Sequence, residues 1–498
     1  MKRAVIATMA FFLGACTTVP EPASYDLAIT NATVIDPETR TSLTEHTVLI
    51  NDGRIGAIVP VGEERFVAQA QVDGTGKFVI PGLMDMHAHS AVAPVAEATF
   101  TLMLVNGVTG IRDMSADCWE PRGEIFLCID EMREYARRIE AGELHGPRLL
   151  RLASPIVQSA PTWQLPENPD SAYSPITAEQ GTALTQMLNQ RGVDLIKTYD
   201  RFHPDAYRAI LAEASMLDLE VSGHLPIFIG SAEAARLGHR SIEHARDLLT
   251  DCSEFGAVYR DGNMATLRGE EGASWPKQDD LRVLSVTQFD PEICAQVMAV
   301  LVANSTYYVP THGTREFDVR AREETYRNDP RLKYMHPFVA GDWQKDLDRT
   351  AQIPADKLPE YEAYYRHGLA ITKFAFDAGV QVMIGTDAND TMMFPGFGVH
   401  DEMRRFAEAG LEPMDILRAA TSIPAQYLDR TEDLGGVAQG KIADLVLLNS
   451  NPLSDIGHTT DIDSVIFGGR LLRRSDLDAM LSTLAESHSL ERAADQPE

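Results

Sequence analysis

Pro81-Gly82-Leu83-Met84-Asp85-Met86-His87-Ala88-His89-Ser90 is the stretch whose reading decides the fold. The apolar run Phe78, Val79 and Ile80 leads into it, so a buried strand is expected from Phe78 to Asp85. Side chains alternate faces along a strand, so His87 and His89 point the same way. Imidazole is the commonest protein ligand for metal ions near neutral pH. Two imidazoles on one face at a strand's C-terminal end make half a metal site. An isolated His-x-His also suits two surface histidines in a loop, so the reading depends on ligands elsewhere in the chain.

Between about residues 77 and 430, short apolar strands alternate with helical stretches, the pattern of parallel βαβ units. The further candidate strands are Thr109 to Asp113, Arg148 to Ala153, Asp194 to Thr198, Glu220 to Gly223, Ser241 to Glu243, Thr306 to Pro310 and Val382 to Gly385. With the first, they supply the strands of a (β/α)8 TIM barrel, whose functional residues sit at strand C-terminal ends. Those ends hold Lys197, Tyr199, His224, His244 and Asp387. Singly, each has a commoner role as a snorkelling, capping or hydrogen-bonding residue. Together with His87 and His89 they form a coherent ligand set on one rim. Pro204 opens a helix in which Tyr207, Ile210, Leu211 and Ala214 recur at helical spacing. Residues 248–368 are polar, charged and too long for a plain connection, so a helical lid elaborating the sixth and seventh connections is expected.

Pro81 to His89, Ser241-Ile242-Glu243-His244, Gly385-Thr386-Asp387 and Gly440-Lys441-Ile442-Ala443-Asp444-Leu445-Val446 together resemble the metal-dependent amidohydrolase superfamily. Within it the chain is similar to the prolidase and imidazolonepropionase-like group, over roughly residues 25 to 475. The resemblance implies two divalent metal ions, expected to be zinc. His87, His89 and Asp387 would bind the more buried ion, and His224 and His244 the second. Lys197 would bridge both as a CO2-derived carbamate, because an ammonium repels a dication and a carbamate offers two anionic oxygens. A neutral lysine near one ion is the alternative. The implied reaction is attack of metal-activated hydroxide on an amide carbonyl, with Asp387 as general base and then general acid.

Dipeptides or N-acyl amino acids are the expected small-molecule substrates. A cyclic-amide or lactone hydrolase, and a non-catalytic metal-binding relative, are the alternatives. Tyr199, His312 and His400 are candidate substrate contacts, each equally readable as structural. Arg112 and Asp113 are expected to brace the rim by pairing. Asp85, two residues before His87, is expected to orient an imidazole or cap the interior.

Tyr25 to Gly76 reads as β structure, with a hairpin turn at Asn51-Asp52-Gly53. A matching pattern returns at Leu445 to Leu448 and Val465 to Phe467. A small composite β-sandwich from residues 25–76 and 431–475 is therefore expected around the barrel of residues 77–430. Residues 476–498 read as a helix and an acidic tail. At 498 residues and 44% hydrophobic content, the chain can fill a barrel and a second domain. A net charge of −29 argues against nucleic-acid binding, which leaves a basic footprint.

Lys2 and Arg3 precede an apolar stretch from Ala4 to Leu13, and then come Gly14, Ala15 and Cys16. Residues 1–16 read as an export signal whose end resembles the lipobox of bacterial lipoproteins. That resemblance implies a lipid anchor on Cys16, and Thr17 in the next position leans the destination toward the outer membrane. Residues 17–24 read as a tether, and plain secretion is the alternative. Cys118, Cys128, Cys252 and Cys294 suit disulfides in an exported chain. Local pairing, Cys118 with Cys128 and Cys252 with Cys294, is the simplest of the three connectivities. A homo-oligomer is left open.

Overall fold

The computed structural model describes residues 22–63, 65–119, 125–159 and 174–494. The expected signal segment, Cys16, most of the tether and the end of the acidic tail lie outside the described residues. Strands β1 (Ala23–Asp36), β2 (Thr41–Asn51) and β3 (Arg54–Pro60) form an antiparallel meander. At the β2–β3 turn Asp52 and Gly53 take φ of 50° and 74°, the left-handed pair that matches the twist of a tight hairpin. Strands β4 (Phe66–Asp73) and β5 (Phe78–Pro81) both run parallel to β1, along its first and second halves.

The expected first barrel strand is in fact two strands. β5 belongs to the terminal sheet, and the chain passes through Gly82 into β6 (Leu83–Ala88). A Cβ at Gly82 would sit 2.0 Å from Thr109 Oγ1, so a side chain there would block the crossing. β6, β7 (Val108–Asp113) and β8 (Arg148–Leu152) make one parallel sheet. β9 (Leu195–Thr198), β10 (Glu220–Gly223), β11 (Ser241–Glu243) and β12 (Tyr307–Val309) make another.

Parallel bridges from Ala153 to Leu195 and from Val157 to Thr198 join the two sheets on one side. On the other side Tyr308 bridges Val382, and Ala388 bridges Ala88, so the run of parallel contacts returns to β6. The segment Val382–Gly385, expected as an eighth strand, carries the first of those contacts without forming a regular strand, and the second lies beyond it at Ala388. The chain turns out of extended geometry just beyond it, with Asp387 at φ 65°. Gly385 packs directly on β6, since a Cβ there would lie 2.8 Å from His87 Cβ.

β13 (Leu445–Leu448), β14 (Ile462–Phe467) and β15 (Arg470–Arg473) return to the terminal sheet, where β13 pairs antiparallel with β5. Hydrogen bonds join these strands in a single mixed sheet. The cause is the length of β1, whose 14 residues reach both β4 and β5 and carry the ladder through. Leu27, Ile29, Val48, Leu445 and Leu447 bury one face of this sheet in a core of their own.

The helix Pro204–Met216 starts at the expected proline and buries Tyr207, Ile210, Leu211 and Ala214. The long connections after β11 and β12 are both helical. The C-terminal stretch folds as the helix Arg474–Ala494. The disulfides are Cys118–Cys128 and Cys252–Cys294, the local pairing. No helix among the described residues is long and apolar enough to cross a membrane.

Candidate metal centre

The ends of the parallel strands bring five candidate ligands, His89, Lys197, His224, His244 and Asp387, to the floor of one cavity of about 610 Å³, and His87 is buried against them. His87 closes β6 and is fully buried; His89 lies just beyond it, partly open to the cavity. Asp387 Oδ1 lies 3.3 Å from His87 Nε2 and 3.0 Å from His89 Nε2. Lys197, on β9 and 1% exposed, brings Nζ to 3.2 Å from the same His87 Nε2. The ring centres of His87 and His244 are 4.7 Å apart, and those of His244 and His224 are 4.4 Å apart. His244 Nδ1 sits 2.7 Å from Thr311 Oγ1 and 3.7 Å from Asp387 Oδ2. One aspartate thus touches both halves of the cluster.

A network below the floor sets how His87 is presented. Glu243 Oε2 accepts a 2.7 Å hydrogen bond from His87 Nδ1, which leaves Nε2 free to face the cluster. The other Glu243 oxygen accepts from Arg112 Nη2 at 2.8 Å and from the Ser241 hydroxyl. Arg112, fully buried, also donates to Met86 O, Ser241 Oγ and Tyr427 Oη, and lies 4.9 Å over the Tyr427 ring. Burial alone would raise the Glu243 carboxyl, but Arg112 and His87 hold it well below the usual range.

Arg112 and Asp113 therefore brace the rim, though not by pairing with each other. Asp113 accepts instead from the backbone and hydroxyl of Ser90 at 2.6 and 2.5 Å. Asp85 accepts from His87 N and from Thr386 N and Oγ1, tying β6 to the Gly-Thr-Asp segment. Burial raises the Asp85 carboxyl to about 7 against those hydrogen bonds.

The donor set fits divalent cations. Burial pushes His224 and His244 well below the usual imidazole range, which keeps them neutral as metal ligands must be. His224 Nδ1 is buried with no hydrogen-bond partner among the described residues, an orphaned lone pair or N–H beside the cluster. Burial would raise the Asp387 carboxyl, yet His87, with hydrogen bonds from His87 and His89, holds it far below its ordinary value, so it faces the histidines as a carboxylate. The ligand atoms of His87, His89 and Asp387 all lie within 4.8 Å of one another. Neutral imidazoles with a carboxylate are a set that suits zinc and similar ions. Asp117 with Cys118 and Cys128 also cluster, but both sulfurs are in the disulfide and Asp117 is paired with Arg191.

Tyr199 lines the cavity and stacks on His224 with ring centres 4.2 Å apart. His312 and His400, expected as candidate substrate contacts, do not reach the cavity. His312 is sealed in the interior, its Nε2 2.9 Å from Thr372 Oγ1. It begins the helix Gly313–Arg320 in helical geometry, which turns its ring inward from the strand direction. His400 is buried between Thr459 Oγ1 and Asn106 O, both at 2.9 Å, and locks its helix to neighbouring segments.

Several cavity residues were not singled out from the sequence: Glu243 beneath the floor, and Arg246, Arg315, Asn389 and Asp390 on the walls. Glu243 had a signal, a carboxylate inside a short apolar strand next to a candidate ligand. Arg315 had none, because it sits on a helix after the strand has ended. Burial and the Asp387 charge raise the Asp390 carboxyl to about 6, against the opposing fields of His89 and Arg315.

The chain is similar to known proteins in sequence and in fold. Imidazolonepropionase of Geobacillus sp. (strain WCH70) is 24% identical over 86% of this chain and 90% of its own length. A bottromycin amidohydrolase structure superposes with a TM-score of 0.67 at 20% identity, covering 93% of this chain and 90% of that one. A Xaa-Pro dipeptidase with bound methionine in its active site gives a TM-score of 0.59 at 20% identity, covering 90% and 99%. The sequence profile of the amidohydrolase family matches residues 78–472, from β5 to β15. This chain belongs to the amidohydrolase family, and its relatives are hydrolases acting on carbon–nitrogen bonds.

Proposed function

We propose that this protein hydrolyses the amide bond of dipeptides or N-acyl amino acids at a centre of two divalent cations, zinc by preference. The observation that carries this reading is the meeting of His89, Lys197, His224, His244 and Asp387 at the floor of one cavity, with His87 buried in contact with Lys197 and Asp387. The returning run of parallel contacts supports reading residues 77–430 as a (β/α)8 barrel with these groups on its C-terminal rim.

His87, His89 and Asp387 hold one ion, and His224 and His244 hold the other. When bound, the ions supply an acidified water and polarise the scissile carbonyl. Lys197 joins the two halves as a carbamate: its amine adds to CO2, forming a nitrogen–carbon bond and releasing one proton to solvent. Burial supports this by lowering the Lys197 ammonium to about 8, against the raising effect of Glu243 and Asp387, so the free amine is accessible. Asp387 accepts the proton of the attacking water and returns it to the leaving nitrogen. Tyr199 presents its hydroxyl to the substrate carbonyl or carboxylate from the adjoining wall. Glu243 keeps His87 in one orientation throughout.

We also read the chain as exported and anchored through lipid on Cys16. Lys2, Arg3, the apolar stretch and the Leu13-Gly14-Ala15-Cys16 end support this, and two disulfides suit an oxidising compartment.

The deciding experiment is metal analysis of protein produced with zinc and bicarbonate, followed by a screen of Xaa-Pro, Xaa-Arg and N-acyl amino-acid libraries. About two ions per chain, one or both lost in Lys197→Ala, with amide turnover, is the expected result. Protein free of metal under those conditions overturns the reading. Turnover of lactones or cyclic amides alone moves the chain to the alternative substrate class. Labelling with a radioactive fatty acid, abolished by Cys16→Ser, tests the anchor.

A further inference from the structure

Three basic side chains besides the histidines line the cavity, and their surroundings differ sharply. Lys197 is buried in the floor among the candidate ligands. Arg246 is fully engaged: Asp200 accepts at 3.1 Å, Asp247 at 2.9 Å and the Leu225 carbonyl at 3.2 Å. Arg315 has one ion pair, Nη1 to Asp318 Oδ2 at 3.3 Å, and a long 3.4 Å contact from Nε to Thr314 Oγ1. Its Nη2 has no partner among the described residues, and its side chain is 37% exposed. A guanidinium carries N–H donors in a rigid fork shaped for a carboxylate. Here half of that fork is unused.

The mount of Arg315 is rigid. It sits in the first turn of the helix Gly313–Arg320. Glu402 accepts from the backbone of His312 at 2.7 Å and of Gly313 at 3.2 Å, fixing the start of that helix. Arg405 ties Glu402 to Glu316 on the same helix, with contacts of 3.1 and 2.6 Å. A Cβ at Gly313 would lie 2.5 Å from Met393 Sδ, so the turn is also packed close against its neighbour. A buried, ion-paired base that holds a half-used guanidinium at a cavity wall is the arrangement a specificity residue needs.

We propose that Arg315 is the specificity residue that binds a free carboxylate on the substrate, so the enzyme acts on amides that carry an acid group beyond the scissile bond. The inference rests on the amide-hydrolase reading of the site. Arg315 and Asp387 wall the same cavity, so the carboxylate docks on the helix while the amide lies over the floor. A substrate whose acid is masked as an amide offers Nη2 no charged acceptor and loses that contact.

The test compares wild type, Arg315→Gln and Arg315→Lys on an Xaa-Pro dipeptide and on its C-terminal amide. Arg315→Gln is expected to lower kcat/KM for the free acid roughly 10- to 100-fold, mainly through KM, and to leave the amide unchanged. Arg315→Lys restores part of the loss. Calorimetric binding of free proline and of prolinamide to the metal-loaded protein gives the same comparison without turnover. Proline binding falls in Arg315→Gln and prolinamide binding does not. Equal loss for acid and amide, or no loss for either, overturns the assignment to Arg315. If wild type cleaves neither peptide yet still binds proline through Arg315, the hydrolase reading fails while the carboxylate site stands.

Discussion

The floor of the cavity and its wall are built on opposite principles. Beneath the floor, His87 is held through a chain of partners: Glu243 holds His87, Arg112 holds Glu243, and Ser241 and Tyr427 hold Arg112. These residues are buried and come from regular strands or from a helix packed against them. On the wall, Arg315 projects from a helix in a long connection with a half-used fork. The difference teaches that chemistry common to a family belongs to the strand ends, while selection among substrates belongs to the connections between them. A rigid floor costs nothing in adaptability if the wall alone changes.

Breaking the floor at its centre gives the largest effect. Asp387→Asn is expected to cut kcat by roughly 10² to 10⁴, as loss of a general base does, and steady-state kinetics on the best amide substrate measures it. One layer down, Arg112→Met leaves the Glu243 charge buried beside His87 without its guanidinium. A loss of about 3–5 kcal/mol is expected in urea unfolding, because an uncompensated buried charge is costly.

Glu243→Gln is milder, since an amide still fills the space. It should weaken metal binding roughly 10- to 100-fold, read by competition with a chelator, with little change in the unfolding midpoint. The smallest effect falls outside both floor and wall. His400→Ala removes hydrogen bonds to Thr459 and Asn106 and should cost about 1–3 kcal/mol of stability. KM for the same substrate should be unchanged, and a raised KM would return His400 to the cavity.

Legibility in the sequence follows the same division. His87 and His89 could be read because a strand has a period of two and an apolar run marks its start. Lys197, His224, His244 and Asp387 could be read because each follows a short apolar strand, and the structure brings all of them to one floor. His312 and His400 could not be placed, because beyond a strand end the chain enters a helix and the direction of a side chain no longer follows from spacing. The terminal sheet was legible as β structure built from both ends of the chain. Its single-sheet topology was not, since hydrophobic alternation marks which residues face inward and not which strands share a ladder. The split of the first strand at Gly82 did have a signal, the Pro81-Gly82 pair that interrupts the apolar run where the backbone changes partners.

That split has a consequence for how the chain is made. β5 lies between β1 and β13, with Phe78 to Pro81 paired along Leu445 to Leu448. During synthesis β1 is available at once, but β13 arrives only after most of the chain has emerged. Until then β5 presents an open apolar edge, the kind of surface on which nascent chains aggregate. A chain that stops short of Leu445 keeps Phe78, Val79 and Ile80 exposed as a sticky edge, and the crossing at Gly82 that leads to His87 loses its anchor.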